Sequence, residues 1–417
     1  MRRSLAVVTA MVSLLCTCAL AHAAQYVGID LVTPGGSNSY AYGINDSGQV
    51  VGATDMPDGF THPFLWQNGV MQILDTLGDP NGAAFGINAS GHVVGYSYTS
   101  STYSDSTHPI LWQGGVATDL GALHSTTGGA LGINASGQVV GYSYSSAQQL
   151  LATLWQNPSI THLGTLGAIS VGNDVNASGD VVGFSHLADG SRRATQWSGA
   201  NMTDLDTLGG TNSQAQGIND AGSICGYSDT AGGASHAFLR QNGVMQDLGT
   251  LGGTNSTGLD ISTTGQVVGY SDTLDGSRHA TLWQNGAMIG LGTGGGTSSQ
   301  ARAISDNGWI CGYWQTAGGV GHAVVWKPVF AITNKAACDP IMSIASAKFA
   351  FKVWGKVTVL DSDSFTVDDG SGKPVKVIAP AFTGITSGDH ASASGAFSGE
   401  GTGRALNARA SDVVKLP

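Results

Sequence analysis

The chain has 417 residues, of which 63 are glycine and 11% are charged, whereas typical globular chains carry about 7% glycine and about 25% charged residues. A hydrophobic share of 41% excludes a disordered chain, and the lack of a Gly-X-Y triplet period excludes collagen. The formal net charge of −11 argues against a nucleic-acid partner. Aspartate and glycine are common and glutamate and lysine are scarce, so the composition predicts many short strands joined by tight turns.

Residues 1–24 are predicted to be a signal peptide. Arg2 and Arg3 precede an apolar run from Leu5 to Leu20, and a small-residue cleavage site ends at Ala23. The run is short for a membrane span, and no later apolar run is long enough for one. We therefore expect an exported protein that is secreted or periplasmic, with the extracellular space favoured, and no membrane span in the mature chain.

Three cysteines follow the predicted cleavage site. They are Cys225, Cys311 and Cys338, and an odd number leaves at least one thiol free or intermolecular. Cys225 and Cys311 occupy one repeat position at which other copies carry valine. This pattern favours small buried hydrophobic side chains over a disulfide.

Internal repetition is the strongest signal in the sequence. An element of the Gly-Ile-Asn type places its aliphatic residue at Ile44, Ile87, Ile133, Val175, Ile218, Ile261 and Ile304. The steps between these positions are 43, 46, 42, 43, 43 and 43 residues. An independent marker, the last residue of a His-Ala-Phe-Leu-Trp element, recurs at Trp66, Trp112, Trp155, Trp197, Trp283 and Trp326. Arg240 replaces the tryptophan in the fifth copy.

Each repeat reads as four strands, which matches a propeller blade. Asn-Ala-Ser-Gly and Gln-Asn-Gly segments suit the turns between them. The seventh copy lacks a fourth strand. Residues 26–39, at the start of the chain, match residues 245–256, which contain the fourth strand of the fifth copy. In a closed ring the N-terminal strand can complete the last blade, because the two ends of the repeat array meet there. The ends of a solenoid do not meet. The sequence therefore predicts an all-β fold with a seven-bladed β-propeller over residues 25–330, closed by the N-terminal strand.

The repeated elements Gly-Ile-Asn, Val-Val-Gly-Tyr, His-Ala-Phe-Leu-Trp and Leu-Gly-Thr-Leu-Gly-Gly resemble the HAF family of probable extracellular repeat proteins. The resemblance covers about three quarters of the chain. It implies export and a repeat scaffold, and it supplies no catalytic residues. Arg240 in place of tryptophan, and Leu151 and Arg193 in place of histidine, depart from the pattern.

The composition changes after the repeats. A linker over residues 331–347 contains Cys338, and residues 348–417 carry eight basic and seven acidic side chains. Five strand-like runs are predicted there: Phe351–Leu360, Ser364–Asp368, Pro374–Ile378, His390–Phe397 and Arg404–Val414. Their pattern resembles a small OB-fold barrel. Because aromatic and basic residues are few, a structural or docking role is favoured over single-strand binding.

The recurrent histidines and tryptophans are predicted to be structural. The histidines are His62, His108, His236, His279 and His322. One histidine per blade cannot converge on a single metal, so we expect hydrogen bonds to the backbone instead. The six tryptophans are expected to pack between blades. Asn45, Asn88, Asn134 and Asn176 precede Ala/Asp-Ser and resemble glycosylation acceptors, but turn chemistry already explains them.

No catalytic residue, metal site or cofactor is predicted from the sequence. The common nucleophile, phosphate-loop and zinc-protease motifs are absent, and no aspartate departs from the repeat in a way that singles it out. Ligand binding is assigned to the loops between second and third strands, which vary most in sequence. The candidates are Tyr103, Asp105, Asp189, Arg192, Asp272, Arg278 and Trp314.

The sequence thus favours an exported, monomeric, non-catalytic scaffold that binds an unidentified protein or glycan through its loops. One alternative is a lyase or hydrolase that acts on polysaccharide in the central channel, which requires charged or histidine side chains there. Another is a passive structural element of the cell envelope.

Overall fold

The structure is a computed structural model that describes residues 25–31, 37–99, 107–124, 127–331, 350–368, 375–379, 384–387, 389–398, 405–407 and 413–415. The predicted signal peptide lies outside these residues, as does nearly all of the predicted linker with Cys338. The regular secondary structure of the described residues consists of β-strands.

Six separate four-stranded antiparallel sheets follow one another along the chain, each made of consecutive strands. We call them units 1 to 6. Units 1 to 3 contain β2 (Ser39–Ile44), β3 (Val50–Asp55), β4 (Thr61–Gln67), β5 (Val70–Ile73), β6 (Gly82–Ile87), β7 (Val93–Tyr98), β8 (Thr107–Gln113), β9 (Val116–Asp119), β10 (Gly128–Ile133), β11 (Val139–Tyr144), β12 (Leu150–Gln156) and β13 (Ser159–His162).

Units 4 to 6 repeat the arrangement. They contain β14 (Ser170–Val175), β15 (Val181–His186), β16 (Arg192–Ser198), β17 (Asn201–Asp204), β18 (Gly209–Ile218), β19 (Ile224–Thr230), β20 (Ser235–Gln241), β21 (Val244–Asp247), β22 (Gly252–Ile261), β23 (Val267–Thr273), β24 (Arg278–Gln284) and β25 (Ala287–Gly290). The prediction of four strands per repeat is confirmed.

Unit 7 takes its fourth strand from the start of the chain. β26 (Ser298–Ile304), β27 (Ile310–Gln315) and β28 (Gly321–Ala331) pair in order, and β1 (Gln25–Asp30) pairs antiparallel with β28. Gln25 lies opposite Val329 and Asp30 lies opposite Val324. The N-terminal strand therefore occupies the place that the fourth strand has in the other units.

Neighbouring units share apolar cores. Each of seven buried clusters combines residues of two successive units, and one of them joins unit 7 to unit 1. That cluster brings Trp66, Phe64 and Ile44 together with Trp309 and Val325. The first strands of successive units also touch, and β26 touches β2. Burial between units, rather than within one sheet, thus holds the repeats together.

The remaining strands form a second structure. They are β29 (Ala350–Val359), β30 (Ser364–Asp368), β31 (Val375–Ile378), β32 (His390–Ser398), β33 (Ala405–Asn407) and β34 (Val413–Lys415). The pairing order is β29-β30-β31-β33-β32 and returns to β29, with β31 and β33 parallel. Phe365, Val367, Val377 and Leu406 lie in its buried core. Four of the five predicted strands are confirmed to within two residues, and the fifth appears as two short strands.

Candidate functional site

Every first strand carries a β-bulge at the same repeat position. The pairing with the second strand slips by one residue there, which leaves one residue of the first strand without a partner on the second. We call these residues the bulge row: Tyr42, Phe85, Leu131, Asn173, Gln216, Leu259 and Arg302. Bulges re-aim side chains and are common beside binding and active sites.

The glycine of each Val-Val-Gly element explains how the bulge fits. In unit 2, a Cβ atom at Gly95 would overlap the carbonyl oxygen of Ala83 on the bulged strand. Equivalent overlaps occur at the corresponding glycine of every unit. Glycine therefore lets the second strand approach the bulged strand closely, and the sequence motif encodes the bulge indirectly.

One part of the bulge row is aromatic and cationic. The rings of Tyr42 and Phe85 lie 5.2 Å apart, although they belong to units 1 and 2. The guanidinium of Arg302, from unit 7, lies 5.6 Å from the ring of Tyr42 and 5.7 Å from the ring of Tyr313. Burial raises the pKa of Tyr42 to about 12, and the nearby Arg302 opposes that shift. Tyr42 is therefore a neutral hydroxyl at any physiological pH.

The other part of the row is polar and acidic. Asn173 Nδ2 donates to Ala215 O of unit 5 at 2.7 Å. The next residue, Asp174, accepts hydrogen bonds from the N–H of Val175 and from the N–H of Ile218 in unit 5, at 2.8 and 2.9 Å. The side chains of this part thus reach across the boundary between units.

Asp260 repeats this arrangement in unit 6. Its carboxylate accepts from the N–H of Ile261 at 2.7 Å and from the N–H of Ile304 in unit 7 at 2.8 Å. Desolvation, and secondarily the charge of Asp174, raises the pKa of Asp260 to about 8. Desolvation also raises the pKa of Asp174. Both side chains keep partial solvent contact although protein surrounds them, as expected where side chains line a narrow space.

These two aspartates correct the sequence analysis, which singled out no aspartate. Asp174 and Asp260 stand where units 1, 2, 3 and 5 carry Gly43, Gly86, Gly132 and Gly217, just before the recurrent aliphatic residue. That departure was visible in the sequence. The sequence did not show that the two aspartates lie beside a β-bulge, because the bulge is recognised only from the pairing of the first and second strands.

The predicted loop candidates are mostly committed to structural contacts. Arg192 Nη1 donates to Gln214 Oε1 and contacts the Tyr227 hydroxyl, at 3.0 and 2.9 Å. Asp189 accepts from the hydroxyl and the N–H of Ser191, which hold its pKa below the usual range. Both residues therefore stabilise a turn or a unit boundary.

Arg278 is exposed at the surface of unit 6, whereas Asp272 is mostly buried and accepts a hydrogen bond from Asn255 Nδ2 at 3.2 Å. The Arg278 guanidinium lies 4.1 Å from the ring of Tyr270, and its Nε is 3.7 Å from Asp272 Oδ1. Trp314 is different from the prediction: it lies in β27, is 8% exposed and packs in the core of units 6 and 7. It cannot offer a free binding face. Tyr103 and Asp105 lie outside the described residues.

Four of the five recurrent histidines contact a carboxylate and the fifth contacts a hydroxyl group, rather than the expected backbone groups. Three of them place Nδ1 on an aspartate of the fourth strand: His108 with Asp119 at 2.7 Å, His236 with Asp247 at 2.8 Å and His322 with Asp30 at 2.7 Å. The other two contact their preceding loops: His62 with Asp58 at 2.9 Å and His279 with Ser277 at 3.4 Å. The contacts are separate, one in each unit.

The six recurrent tryptophans are buried, and each lies in a cluster shared by two units. Inter-unit packing was the prediction, and these clusters agree with it. Cys225 and Cys311 are free thiols buried in such clusters, as predicted, and burial raises the pKa of both.

The turn asparagines link successive units. In unit 1, Asn45 Oδ1 accepts from the N–H groups of Ser47 and Gln49, while Nδ2 donates to Asn88 O of unit 2 at 3.0 Å. The same inter-unit bond recurs from Asn88, Asn134, Asn176 and Asn219. These side chains are buried, which agrees with the interpretation as turn residues.

A cleft of about 450 Å³ lies away from the bulge row, between units 2 and 3. Trp155, Ile160, Gln113 and Asp119 are among the residues that line it. A smaller cleft of about 160 Å³ occupies the same repeat position between units 5 and 6. Since the feature recurs with the repeat, we attribute it to the packing of the units and not to a dedicated site.

Within the described ranges, no group of three or more histidine, cysteine or acidic side chains is arranged to hold a metal ion. No helix in the same residues has the length and apolarity needed to cross a membrane.

No protein-family model and no curated protein matches the chain. Solved propeller structures do. The propeller domain of the Trilobed protease from Pyrococcus furiosus, described as having an open velcro topology, aligns with a TM-score of 0.50 and 10% identity over 69% of this chain and 95% of its own. A puromycin-hydrolyzing peptidase from Mycobacterium tuberculosis aligns with a TM-score of 0.50 and 11% identity over 73% of this chain. TolB from Acinetobacter baumannii aligns with a TM-score of 0.40 and 12% identity over 64% of this chain and 76% of its own.

The likenesses to the Trilobed protease domain and to the puromycin-hydrolyzing peptidase, each with a TM-score of 0.50, show a β-propeller fold for the repeats. The likeness to the peptidase also contradicts the prediction that the chain is not an enzyme, which rested on the absence of common catalytic motifs. The puromycin-hydrolyzing peptidase contains the same fold, and this chain spans 54% of its length. A propeller scaffold is therefore no argument against catalysis.

Proposed function

We propose that the repeats form a closed seven-bladed propeller that binds a glycan at its centre, against the bulge row. Three observations support closure: one is the pairing that completes unit 7, and two are contacts between units 7 and 1. β1 pairs with β28, the rings of Tyr40 and Tyr313 lie 4.9 Å apart, and Asp306 N–H donates to Asp46 Oδ1 at 2.8 Å. In such a ring the first strands surround the axis, so the bulge row lines a central channel.

The bulge row carries the binding proposal. Aromatic rings at Tyr42 and Phe85 offer flat apolar surfaces for the C–H faces of sugars, while Asn173, Gln216 and Arg302 offer hydrogen-bonding groups for hydroxyls. A concave site with aromatic walls and a few convergent polar groups is typical of ligand pockets. The loops with Arg278 and Asp272 then form the rim of the channel, which keeps a secondary role for the loop surface.

The test uses variants that the repeat itself permits. Leu131 and Leu259 occupy the bulge position in units 3 and 6, so Tyr42→Leu and Phe85→Leu place a native residue in an equivalent setting. Binding of neutral and acidic oligosaccharides to the full chain is measured by isothermal titration calorimetry. We expect each variant to weaken binding about fivefold, since aromatic contacts contribute about 1 kcal/mol beyond burial.

Asp189→Ala in a loop serves as the control and should bind like the unaltered chain. If no oligosaccharide binds, or if both leucine variants bind as tightly as the control, the channel proposal is wrong.

Cleavage of a glycosidic bond is a second candidate function. The specific observation in its favour is the pair Asp174 and Asp260, whose charges interact and of which Asp260 is protonated at neutral pH because its pKa is about 8. A carboxyl group that stays protonated near neutral pH is the general acid that glycoside hydrolysis requires, and a second carboxyl group lies near it. Release of reducing ends that is lost in Asp260→Asn would support it, and unchanged oligosaccharide after long incubation would remove it.

We further propose that the chain belongs to the HAF family, that it is exported and that its C-terminal strands form an OB-like barrel. The repeat elements support membership in the HAF family, and residues 1–24 support export. The order β29-β30-β31-β33-β32, with the parallel pair β31 and β33, supports an OB-like barrel, since a five-stranded Greek-key barrel is the defining feature of that fold. Deletion of residues 348–417 would test whether the barrel contributes to binding.

A further inference from the structure

Arg302 is the charged member of the bulge row. Other units place Tyr42, Phe85, Leu131, Asn173, Gln216 or Leu259 at its position. Its Nε atom is buried without a hydrogen-bond partner, and it makes no hydrogen bond or ion pair with any residue in the described part of the chain. Burying a charged group without a partner is costly. The two tyrosine rings beside it supply only weak cation–π contacts in return.

The acidic side chains of the same surface do not neutralise Arg302. Asp174 and Asp260 direct their oxygens to backbone N–H groups at the boundaries between units 4 and 5 and between units 6 and 7. Their raised pKa values reduce their negative charge near neutral pH. Arg302 is thus a local positive centre within a chain of net charge −11.

The geometry leaves room for a partner from outside. Nη1 and Nη2 of Arg302 are neither hydrogen-bonded nor among the fully buried unpaired atoms, so they face accessible space. The Cζ atom of Arg302 lies 5.6 Å from the ring centroid of Tyr42 and 5.7 Å from that of Tyr313, so the two rings limit the space in which the guanidinium can move. A guanidinium held in this way presents two parallel N–H donors, which is the geometry that a carboxylate accepts.

We propose that Arg302 binds the carboxylate of a uronic acid, so that the ligand of the channel is an acidic glycan. This inference rests on the proposed glycan-binding function. Tyr42 and Phe85 would contact the neighbouring sugar rings, while Arg302 would select the charged residue. A sulfate ester can accept the same two donors, so the experiment includes a sulfated polymer to distinguish it from a uronate.

The experiment compares acidic oligosaccharides with matched neutral ones. Oligogalacturonate, oligoalginate and hyaluronan fragments, each in free-acid and methyl-ester form, are titrated into the full chain by calorimetry, with dextran sulfate as a polyanion control. We expect at least one free acid to bind about 10- to 100-fold more tightly than its ester, as a charge-assisted hydrogen bond contributes about 1.5–3 kcal/mol. Arg302→Gln should remove this preference while retaining binding of the ester.

The variant is matched to the fold, because Gln216 occupies the same position in unit 5, and thermal unfolding checks that it folds. Arg240→Gln removes the same charge on the third strand of unit 5, outside the bulge row. It is the control and should keep the preference for the acid. Equal binding of acid and ester by the unaltered chain overturns the role of Arg302 but leaves glycan binding intact. A preference that survives in Arg302→Gln, or equal binding of dextran sulfate, also overturns it. Failure of every oligosaccharide to bind refutes the proposed function itself.

Discussion

Substitution of Asp260 by asparagine should stabilise the protein in a pH-dependent way. In the folded chain the pKa of this carboxyl group is about 8, whereas its ordinary value is 3.8. Between these two values the folded state holds a proton that the unfolded state releases. Stability therefore falls as pH rises through this window, and the loss is complete above about pH 8.

The magnitude follows from the same shift. One pKa unit corresponds to about 1.36 kcal/mol, so the interval from 3.8 to about 8 gives an upper limit of about 6 kcal/mol. The side chain keeps partial solvent contact, and asparagine retains one of the two accepted N–H bonds but loses the other, which costs about 1 kcal/mol. We expect Asp260→Asn to gain about 2 kcal/mol near pH 8 and to lose about 1 kcal/mol near pH 4, where only the cost of the lost hydrogen bond remains.

Urea unfolding followed by tryptophan fluorescence measures both values. Asp180→Asn is the matched control, because Asp180 lies in the turn between β14 and β15 and not on a first strand. Its effect should be equal at the two pH values. A gain for Asp260→Asn that does not depend on pH, or a loss near pH 8, would refute the reasoning.

Four further outcomes can be checked. Trp112→Ala should destabilise the chain by about 3–5 kcal/mol in urea unfolding, because the side chain is buried between units 1 and 2. Arg240→Trp should instead stabilise the chain by about 1 kcal/mol, since the other units bury tryptophan at this position. Asn134→Ala should cost about 1–3 kcal/mol, because it leaves a buried carbonyl unpaired; a change below the error of the unfolding curve would contradict the inter-unit bond. Cys225 and Cys311 should react with a maleimide reagent only after unfolding, since burial raises the pKa of both thiols. Rapid labelling of the native chain would exclude their burial.

The repeat spacing predicted much of the fold, because seven copies of one sequence pattern each indicate the same order of strands and turns. The four strands of each unit and the exchange of β1 into unit 7 followed from sequence alone. The histidine contacts were mispredicted, although the partner was available: Asp119 lies eleven residues after His108. Antiparallel pairing of the third and fourth strands brings such a pair together.

The candidate site was harder to predict. Its residues are distinguished by the bulge, which leaves them without a partner on the second strand. The bulge in turn depends on the close approach of two strands at Gly95 and the equivalent glycines. Asp174 and Asp260 looked like ordinary variation at a glycine position. The alternation of apolar and polar residues along a strand does not show which residue is left unpaired. A one-residue shift in pairing changes the register of the two strands but not their amino-acid composition.

The pairing of β1 with β28 has a consequence for how the chain acquires its structure. It joins Gln25 to Val329, whereas the strands of every other unit pair within one repeat. Closing a loop of about 300 residues costs about 1.7 kcal/mol more in chain entropy than closing one of about 43. Hairpins within units should therefore form early and this pairing late. Until then unit 7 has an open edge and the apolar side of unit 1 facing it is uncovered, so this junction is where a partly folded chain would aggregate.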